Sequence, residues 1–153
     1  MKLLPLSAIC VVLLAVAVDL AAQQHPSNPP NPTHASQAAE GKVTGNVEHG
    51  RYLVERVVMC FECHSPRDED GNIIQERRFE GGPIPFRPPW PNDWAIRAPR
   101  NKGLPGYSEE QGIRLLTEGA IGRDGNQLRL PMPRFRMTRQ DAADVVAYFK
   151  SME

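Results

Sequence analysis

Apolar side chains recur at helical spacing in three segments of the chain. The first segment covers residues 47–59, "VEHGRYLVERVVM". Because residues three or four positions apart lie on one side of a helix, this segment predicts a first α-helix. Its apolar side is predicted to consist of Tyr52, Leu53, Val57 and Met59.

Capping residues mark the starts of the second and third helices. Ser108 opens "SEEQGIRLLTEG" and Gln111 follows three residues later, which is the spacing of a capping box. Gly119 suits a left-handed residue after the end of this helix. Thr138 and Asp141 repeat the pattern at the start of "TRQDAADVVAYFKSM". The apolar face of the third helix is predicted to be Ala142, Val145, Val146 and Phe149.

The segment between the first two helices has no helical or strand period. Seven prolines lie from Pro83 to Pro105, and proline is excluded from helix interiors. Residues 65–107 are therefore predicted to be ordered mostly without regular structure. A loop of this length is usually functional, and wrapping a large apolar cofactor would explain it. The side chains predicted to pack on that cofactor are Phe79, Ile84, Phe86, Trp90, Trp94 and Ile96.

Residues 1–22, "MKLLPLSAICVVLLAVAVDLAA", have the features of an export signal. Lys2 is followed by an almost wholly apolar run and then by two alanines. An uncleaved membrane anchor is the alternative, although Asp19 and the short run make a full span of about 20 apolar residues marginal. The sequence predicts an exported, periplasmic protein that contacts a membrane only if this segment is retained.

The remaining residues divide into a linker and a domain. Residues 23–45 are rich in Pro, Asn, Gln and Ser, which predicts a flexible linker. Residues 46–153 are predicted to form one all-α domain with three or more short helices and the long proline-rich loop. The chain has 18 basic and 18 acidic side chains, a balance that argues against a nucleic-acid partner.

The stretch "VVMCFECHSP" places Cys60, Cys63 and His64 within five residues. Three chemistries use such a pair: structural zinc, a redox dithiol and covalent haem. Zinc requires four ligands, and the other histidines are scattered. A thioredoxin-like dithiol expects a strand before the motif, whereas here the motif is predicted to close the first helix, with no strands around it.

C-x-x-C-H is the attachment signature of c-type haem. In this interpretation the thiols of Cys60 and Cys63 add to the haem vinyl groups, and His64 becomes the proximal iron ligand. Export supports the interpretation, because c-type haem is attached outside the cytoplasm.

A methionine sulfur suits the sixth iron position. Met132 lies between Pro131 and Pro133 in "LRLPMPRFRMTRQ", and the two prolines restrict the loop that carries it. Met137 comes just before the cap of the third helix, where a core contact is the simpler explanation. Met132 is therefore predicted as the distal ligand, with Met137 as the alternative.

Three segments, "HGRYLVERVVMCFECHSPRD", "YSEEQGIRLLTEG" and "LPMPRFRMTRQDAADVVAYFKSM", resemble class I c-type cytochromes of the small bacterial monohaem type. The resemblance covers about residues 46–153. It implies an all-α fold around one haem c, and a close crossing of the first and last helices at Gly50, which would face Tyr148 or Phe149. Candidate partners of the haem propionates are Trp90, Trp94, Arg97, Arg100 and Asn101.

With His64 and Met132 on the iron, no coordination position is open to a substrate. The sequence therefore predicts a one-electron carrier and no enzyme activity. The expected partners are redox proteins: a dehydrogenase, a quinol-oxidising complex or a terminal oxidase. The alternatives are a subunit permanently bound to a dehydrogenase or oxidase, and a haem sensor or peroxidase in which Met132 is not ligated.

Charge is unevenly distributed along the predicted domain. Residues 121–139 contain five arginines and one acid, whereas residues 62–80 contain six acids and three arginines. A basic rim around the Met132 loop would steer an acidic partner. Ordinary solvated charge is the alternative explanation.

Overall fold

The computed structural model describes residues 42–152. The predicted export signal, residues 1–22, and nearly all of the predicted linker, residues 23–45, lie outside this range and remain predictions. Among residues 42–152, no helix combines the length and the apolar character needed to cross a membrane.

The segment predicted as the first helix consists of two helical types. Helix α1 (Val47–Tyr52) is α-helical, and Leu53–Val57 continues it as a π-helix. The predicted end at Met59 is wrong, because the wider π turn ends the helical run and Met59 has a φ of +52°. Such wide turns are frequent next to functional sites. Here the turn comes just before Cys60.

The prediction that the cysteine pair closes the first helix is wrong, because the first helical run ends at Val57. The pair belongs to a separate short helix, α2 (Phe61–His64), with Cys60 as its N-cap residue. The chain then turns into an extended conformation at Ser65, whose buried hydroxyl accepts the Phe79 backbone N–H at 3.1 Å. This hydrogen bond holds the segment after the motif against the core.

Helices α3 (Glu109–Thr117) and α4 (Arg139–Lys150) begin at the predicted caps. Ser108 and Gln111 form the reciprocal capping box, which satisfies two backbone N–H groups. Thr138 accepts the Asp141 backbone N–H, and its hydroxyl donates to the Asp141 carboxylate at 2.8 Å. Gly119 follows the end of α3 with a φ of +86°, as predicted for a left-handed cap.

Helices α1 and α4 pack closely at Gly50, which confirms the predicted crossing. A Cβ atom on Gly50 would overlap the backbone oxygen of Asp144 and would lie 2.9 Å from the Tyr148 Cβ. Val54, one turn after Gly50, is fully buried on the same side. Small residues at this position therefore let the two backbones approach.

The predicted apolar side of the first helix is mostly wrong. Tyr52, Val57 and Met59 are each at least half exposed, and only Leu53 packs against the core. The close approach at Gly50 turns the side that carries Val54 toward α4. Helix periodicity identified a helix here, but not the side that α4 covers.

The core lies between α3, α4 and the π turn. The predicted face of α4 is confirmed, since Ala142, Val145, Val146 and Phe149 are all buried. Phe79 packs edge-on against Phe149 with ring centroids 5.5 Å apart. The proline-rich loop of residues 65–107 therefore contributes an aromatic side chain to the core.

Residues 65–107 contain little regular structure, but they are not without strands. Strands β1 (Gly82–Pro83) and β2 (Arg97–Ala98) form an antiparallel pair with Gly82 opposite Ala98. A 3₁₀ turn covers Gln75–Arg77. Two-residue strands are too short to leave an alternating pattern in the sequence. Within residues 42–152, four α-helices and this one ladder are compatible with the predicted all-α class.

Candidate functional site

A cavity of about 260 Å³ lies among the helices and loops of the described residues. Its walls come from the α2 region, residues 95–101, α3, α4 and the segment around Met132. Most of the lining surface is apolar. The large apolar side chains on the walls are Val58, Ile84, Leu104, Leu115, Leu116, Leu128, Phe135, Val146 and Phe149.

The four residues predicted to hold a cofactor all line this one cavity: Cys60, Cys63, His64 and Met132. They come from segments almost 70 positions apart in the sequence, so their convergence is a product of the fold. Nothing in the spacing of the motif alone requires the Met132 loop to return to it.

Both cysteines are free, half-buried thiols. Burial raises the pKa of Cys60 to about 12 and also raises the pKa of Cys63. A catalytic dithiol needs a thiolate, and its nucleophilic cysteine has a lowered pKa. The environment of this pair is therefore the opposite of the one that a redox dithiol requires.

His64 is oriented by a backbone carbonyl. Its Nδ1–H donates to the Pro99 carbonyl oxygen at 2.8 Å. Burial lowers the pKa of His64, while this hydrogen bond acts in the opposite direction. A neutral imidazole with Nδ1 protonated keeps a lone pair on Nε2, the form in which histidine binds a metal. The Pro99 carbonyl left no signal in the sequence, because any residue type supplies a backbone oxygen.

Met132 is carried by a loop that is tied to its surroundings on the N-terminal side. The Leu130 carbonyl accepts the Ala95 N–H at 2.7 Å, and the Leu128 N–H donates to the Ala120 carbonyl at 2.9 Å. The flanking Pro131 and Pro133 also line the cavity. Together these contacts place a thioether on a restrained segment.

The alternative methionine, Met137, packs against the hydrophobic core and is not among the residues that line the cavity. Its backbone N–H donates to the Leu116 carbonyl at 3.0 Å. This is the core role that its position before the α4 cap suggested. Met59 does line the cavity, from the segment that joins the π turn to Cys60.

The predicted aromatic lining from the proline-rich loop is wrong in most of its members. Of the six side chains, only Ile84 lines the cavity. Phe79 lies in the core, and the outer surface carries Phe86, Trp90 and Ile96. The apolar walls come instead from α3, α4 and the loop before α3. Those leucines resemble any other core residues in the sequence, so they gave no specific signal.

Three of the five candidate propionate partners lie at the cavity: Arg97, Arg100 and Asn101. Trp90 and Trp94 are not among its lining residues. The side-chain oxygen of Asn101 is buried without a hydrogen-bond partner in residues 42–152. Polar groups therefore gather on one part of an otherwise apolar wall.

A second group of ligand-type side chains lies at the helix crossing: His49, Asp141 and Asp144. The Asp144 carboxylate is buried and already accepts hydrogen bonds from the Asn46 backbone N–H at 2.7 Å and from Gln140 at 2.8 Å. Its other oxygen faces His49 Nδ1. This group ties the start of α1 to α4 and serves the fold.

Comparison with known proteins agrees with the geometry of the cavity. The family model for cytochrome c matches residues 47–153. The chain therefore belongs to the cytochrome c family, a family of c-type cytochromes that transfer electrons through covalently bound haem. Over 50 residues it is 44% identical to a diheme cytochrome c-type protein of Cereibacter sphaeroides. That match covers 33% of this chain and 17% of the relative, so the chain spans less than a fifth of the relative's length.

The cavity residues fit the cofactor of this family. Two free thiols and an oriented imidazole lie on one wall, and a thioether loop completes the set. Thioether and imidazole donors are the axial ligands found in cytochromes c. The apolar walls suit a macrocycle, and the N–H groups of Arg97, Arg100 and the Asn101 amide can donate to its carboxylate edge.

Proposed function

We propose that this protein is a one-electron carrier with a single haem c attached through Cys60 and Cys63. His64 would be the proximal iron ligand and Met132 the distal one. The observation that supports this best is the convergence of all four side chains on one apolar cavity, with His64 oriented by Pro99. When bound, the haem supplies a reversible one-electron change at iron.

The residues of the chain set the conditions for that change. His64 presents Nε2 because Nδ1 is occupied by the Pro99 carbonyl. The restrained Met132 loop would fill the remaining axial position, which leaves no place for a substrate and favours electron transfer over catalysis. Apolar walls from α3 and α4 exclude water, and a Met/His ligand pair raises the reduction potential.

A single haem follows from a single attachment motif. C-x-x-C-H occurs once in the chain, at residues 60–64. The Cereibacter sphaeroides relative is named as diheme, but the match to it covers only 50 residues. One haem per domain is therefore the stoichiometry that the motif supports.

The proposed location is the periplasm, and the proposed partners are redox proteins such as a dehydrogenase, a quinol-oxidising complex or a terminal oxidase. The export-signal features of residues 1–22 support the location. An electron carrier needs a donor and an acceptor, and redox proteins of these classes can serve as either.

The test is expression with export and haem-attachment machinery, followed by a pyridine haemochrome spectrum of the purified protein. We expect one c-type haem per chain, retained after acid–acetone extraction. Cys60→Ala/Cys63→Ala should lose covalent haem, and a Cys10→Ala variant is the matched control. If the purified protein contained no haem, the interpretation of Cys60 and Cys63 as a redox dithiol would be favoured instead. If the reduced native protein bound carbon monoxide readily, an axial position would be open. A haem sensor or peroxidase would then be the better interpretation than an electron carrier.

A further inference from the structure

Met59 is the methionine most open to solvent in the part of the chain that the structure describes. Its side chain is 50% exposed, whereas Met132, Met137 and Met152 are all more shielded. Met137 and Met152 pack against the hydrophobic core. A dissolved oxidant therefore reaches the thioether of Met59 more easily than those of the other three.

Met59 also belongs to the wall of the cavity. It lines the cavity together with its two neighbours in the chain, Val58 and Cys60. A residue that meets both the solvent and the cavity lies at the rim between them. A change in the polarity of its side chain therefore changes the surroundings of whatever the cavity holds.

The backbone fixes Met59 at this rim. The Cys60 N–H donates to the Val54 carbonyl at 3.2 Å, and the Glu62 N–H donates to the Met59 carbonyl at 3.0 Å. The φ of Met59, +52°, lies in the left-handed region, where glycine or asparagine is the usual residue. The turn itself therefore does not account for a methionine. A flexible apolar thioether can cover the edge of an apolar cavity, which glycine cannot do.

We propose that Met59 is a reversible oxidation site, at which hydrogen peroxide forms a sulfoxide and thereby lowers the reduction potential of the bound haem. Two electrons pass from the Met59 sulfur to the peroxide, the O–O bond breaks, an S–O bond forms and water leaves. A sulfoxide reductase with a dithiol reverses the step: the S–O bond breaks, the oxygen leaves as water, and the dithiol becomes a disulfide.

The direction of the change in potential follows from charge. Oxidation turns an apolar side chain into a polar one. Ferric haem carries one more positive charge than ferrous haem, so a more polar rim stabilises the ferric form and lowers the potential. In the proposed ligation the Met132 sulfur is bound to iron, which makes it a poorer nucleophile toward peroxide. The inference rests on the proposed function, because the potential is that of the haem.

Peptide mass spectrometry of the exported haem protein after brief exposure to hydrogen peroxide tests the site. We expect the Met59 peptide to gain one oxygen about tenfold faster than the peptides of Met137 and Met152. Potentiometry of the same samples should show a lower reduction potential once Met59 is modified. Incubation with a methionine sulfoxide reductase and dithiothreitol should restore the original potential.

Two variants isolate the contribution of Met59. Met59→Leu keeps an apolar side chain of similar size without the sulfur, so its potential should not respond to peroxide. Met59→Gln introduces a polar amide, so its potential should be lowered before any peroxide is added. Met152→Leu is the matched control, because Met152 packs against the core and is not among the residues that line the cavity. The control should respond to peroxide like the wild-type protein.

Three results would overturn the proposal and leave the proposed function intact. Met137 or Met152 could gain oxygen as fast as Met59, or the potential could stay constant after Met59 is fully modified. The third is oxygen on Met132 with loss of the charge-transfer band, since the distal ligand would then be the sensitive group. A protein without covalent haem would instead refute the proposed function, and mass spectrometry of that protein would still decide which methionine is oxidised first.

Discussion

The Asp144 carboxylate lies 2.7 Å from His49 Nδ1, and this contact joins the start of α1 to α4. Burial acts to raise the pKa of Asp144, but hydrogen bonds from Asn46, His49 and Gln140 outweigh it and hold the pKa below its usual range. The ionised carboxylate is therefore favoured by the folded state.

The lowered pKa of Asp144 predicts the pH dependence of stability. The contribution is fully present above the pKa of an unfolded aspartate, about 3.9, and is lost as the pH falls through the lower folded value. Asp144→Asn should reduce the free energy of unfolding by roughly 1–3 kcal/mol at pH 7 and should flatten its slope below about pH 4. Urea titrations at several pH values measure both. The exposed Asp93→Asn is the control, and equal slopes for the three proteins would contradict the assignment.

Gly50→Ala should destabilise the domain by about 1–3 kcal/mol, because the added methyl group would overlap the Asp144 backbone oxygen. Glu48→Ala, on the exposed side of the same helix, should change stability by less than about 0.5 kcal/mol. Thermal unfolding of the two variants makes the comparison. If Gly50→Ala were more stable than the wild-type protein, its higher helix propensity would exceed the cost of the steric overlap. The close packing of α1 against α4 at this position would then be contradicted.

Met132→Ala and Met137→Ala should separate ligation from packing. Met132 lines the cavity, so its loss should abolish the weak red charge-transfer band of the oxidised protein and lower the reduction potential. Met137 packs on the core, so its loss should cost about 1–2 kcal/mol of stability and leave the band in place. Visible spectra and potentiometry distinguish the two variants. The reverse result would make Met137 the distal ligand.

Ser108→Ala should lower the free energy of unfolding by about 1 kcal/mol, because it removes the hydroxyl half of the α3 capping box. Thr44→Ala removes an exposed hydroxyl outside any cap and serves as the control. Denaturant unfolding gives the difference. A loss of the same size in both proteins would show that the capping hydrogen bond adds nothing at this helix.

The sequence was most informative where chemistry or capping fixes the spacing of residues. Cys60, Cys63 and His64 stand out because C-x-x-C-H is a fixed order of uncommon residue types, and Ser108 stands out because an N-cap favours a hydroxyl side chain. The flanking prolines favoured Met132 over Met137, and in the structure Met132 lines the cavity while Met137 packs against the core. Each of these signals depends on residue type at a defined position.

Other parts of the site left no such signal. The carbonyl of Pro99 acts through its backbone, and Leu104 and Leu116 look like any core leucines. Trp90 was expected inside because it is large and apolar, yet it is 62% exposed. In a segment without period, the sequence does not say which side of the chain faces inward. Which side faces inward is determined by tertiary contacts, such as the hydrogen bond from the Ala95 N–H to the Leu130 carbonyl.

The apolar walls of the cavity also affect how well the chain resists proteolysis. Leu104, Leu115 and Phe135 belong to three separate segments, and each of these side chains lines the cavity as well as packing against the core. Without a cofactor, the cavity side of these segments lacks packing partners, so local opening costs less free energy and exposes the chain to proteases more often. Cofactor attachment would then act as a checkpoint for abundance: chains that miss it are degraded, and the population that persists consists of finished cytochrome.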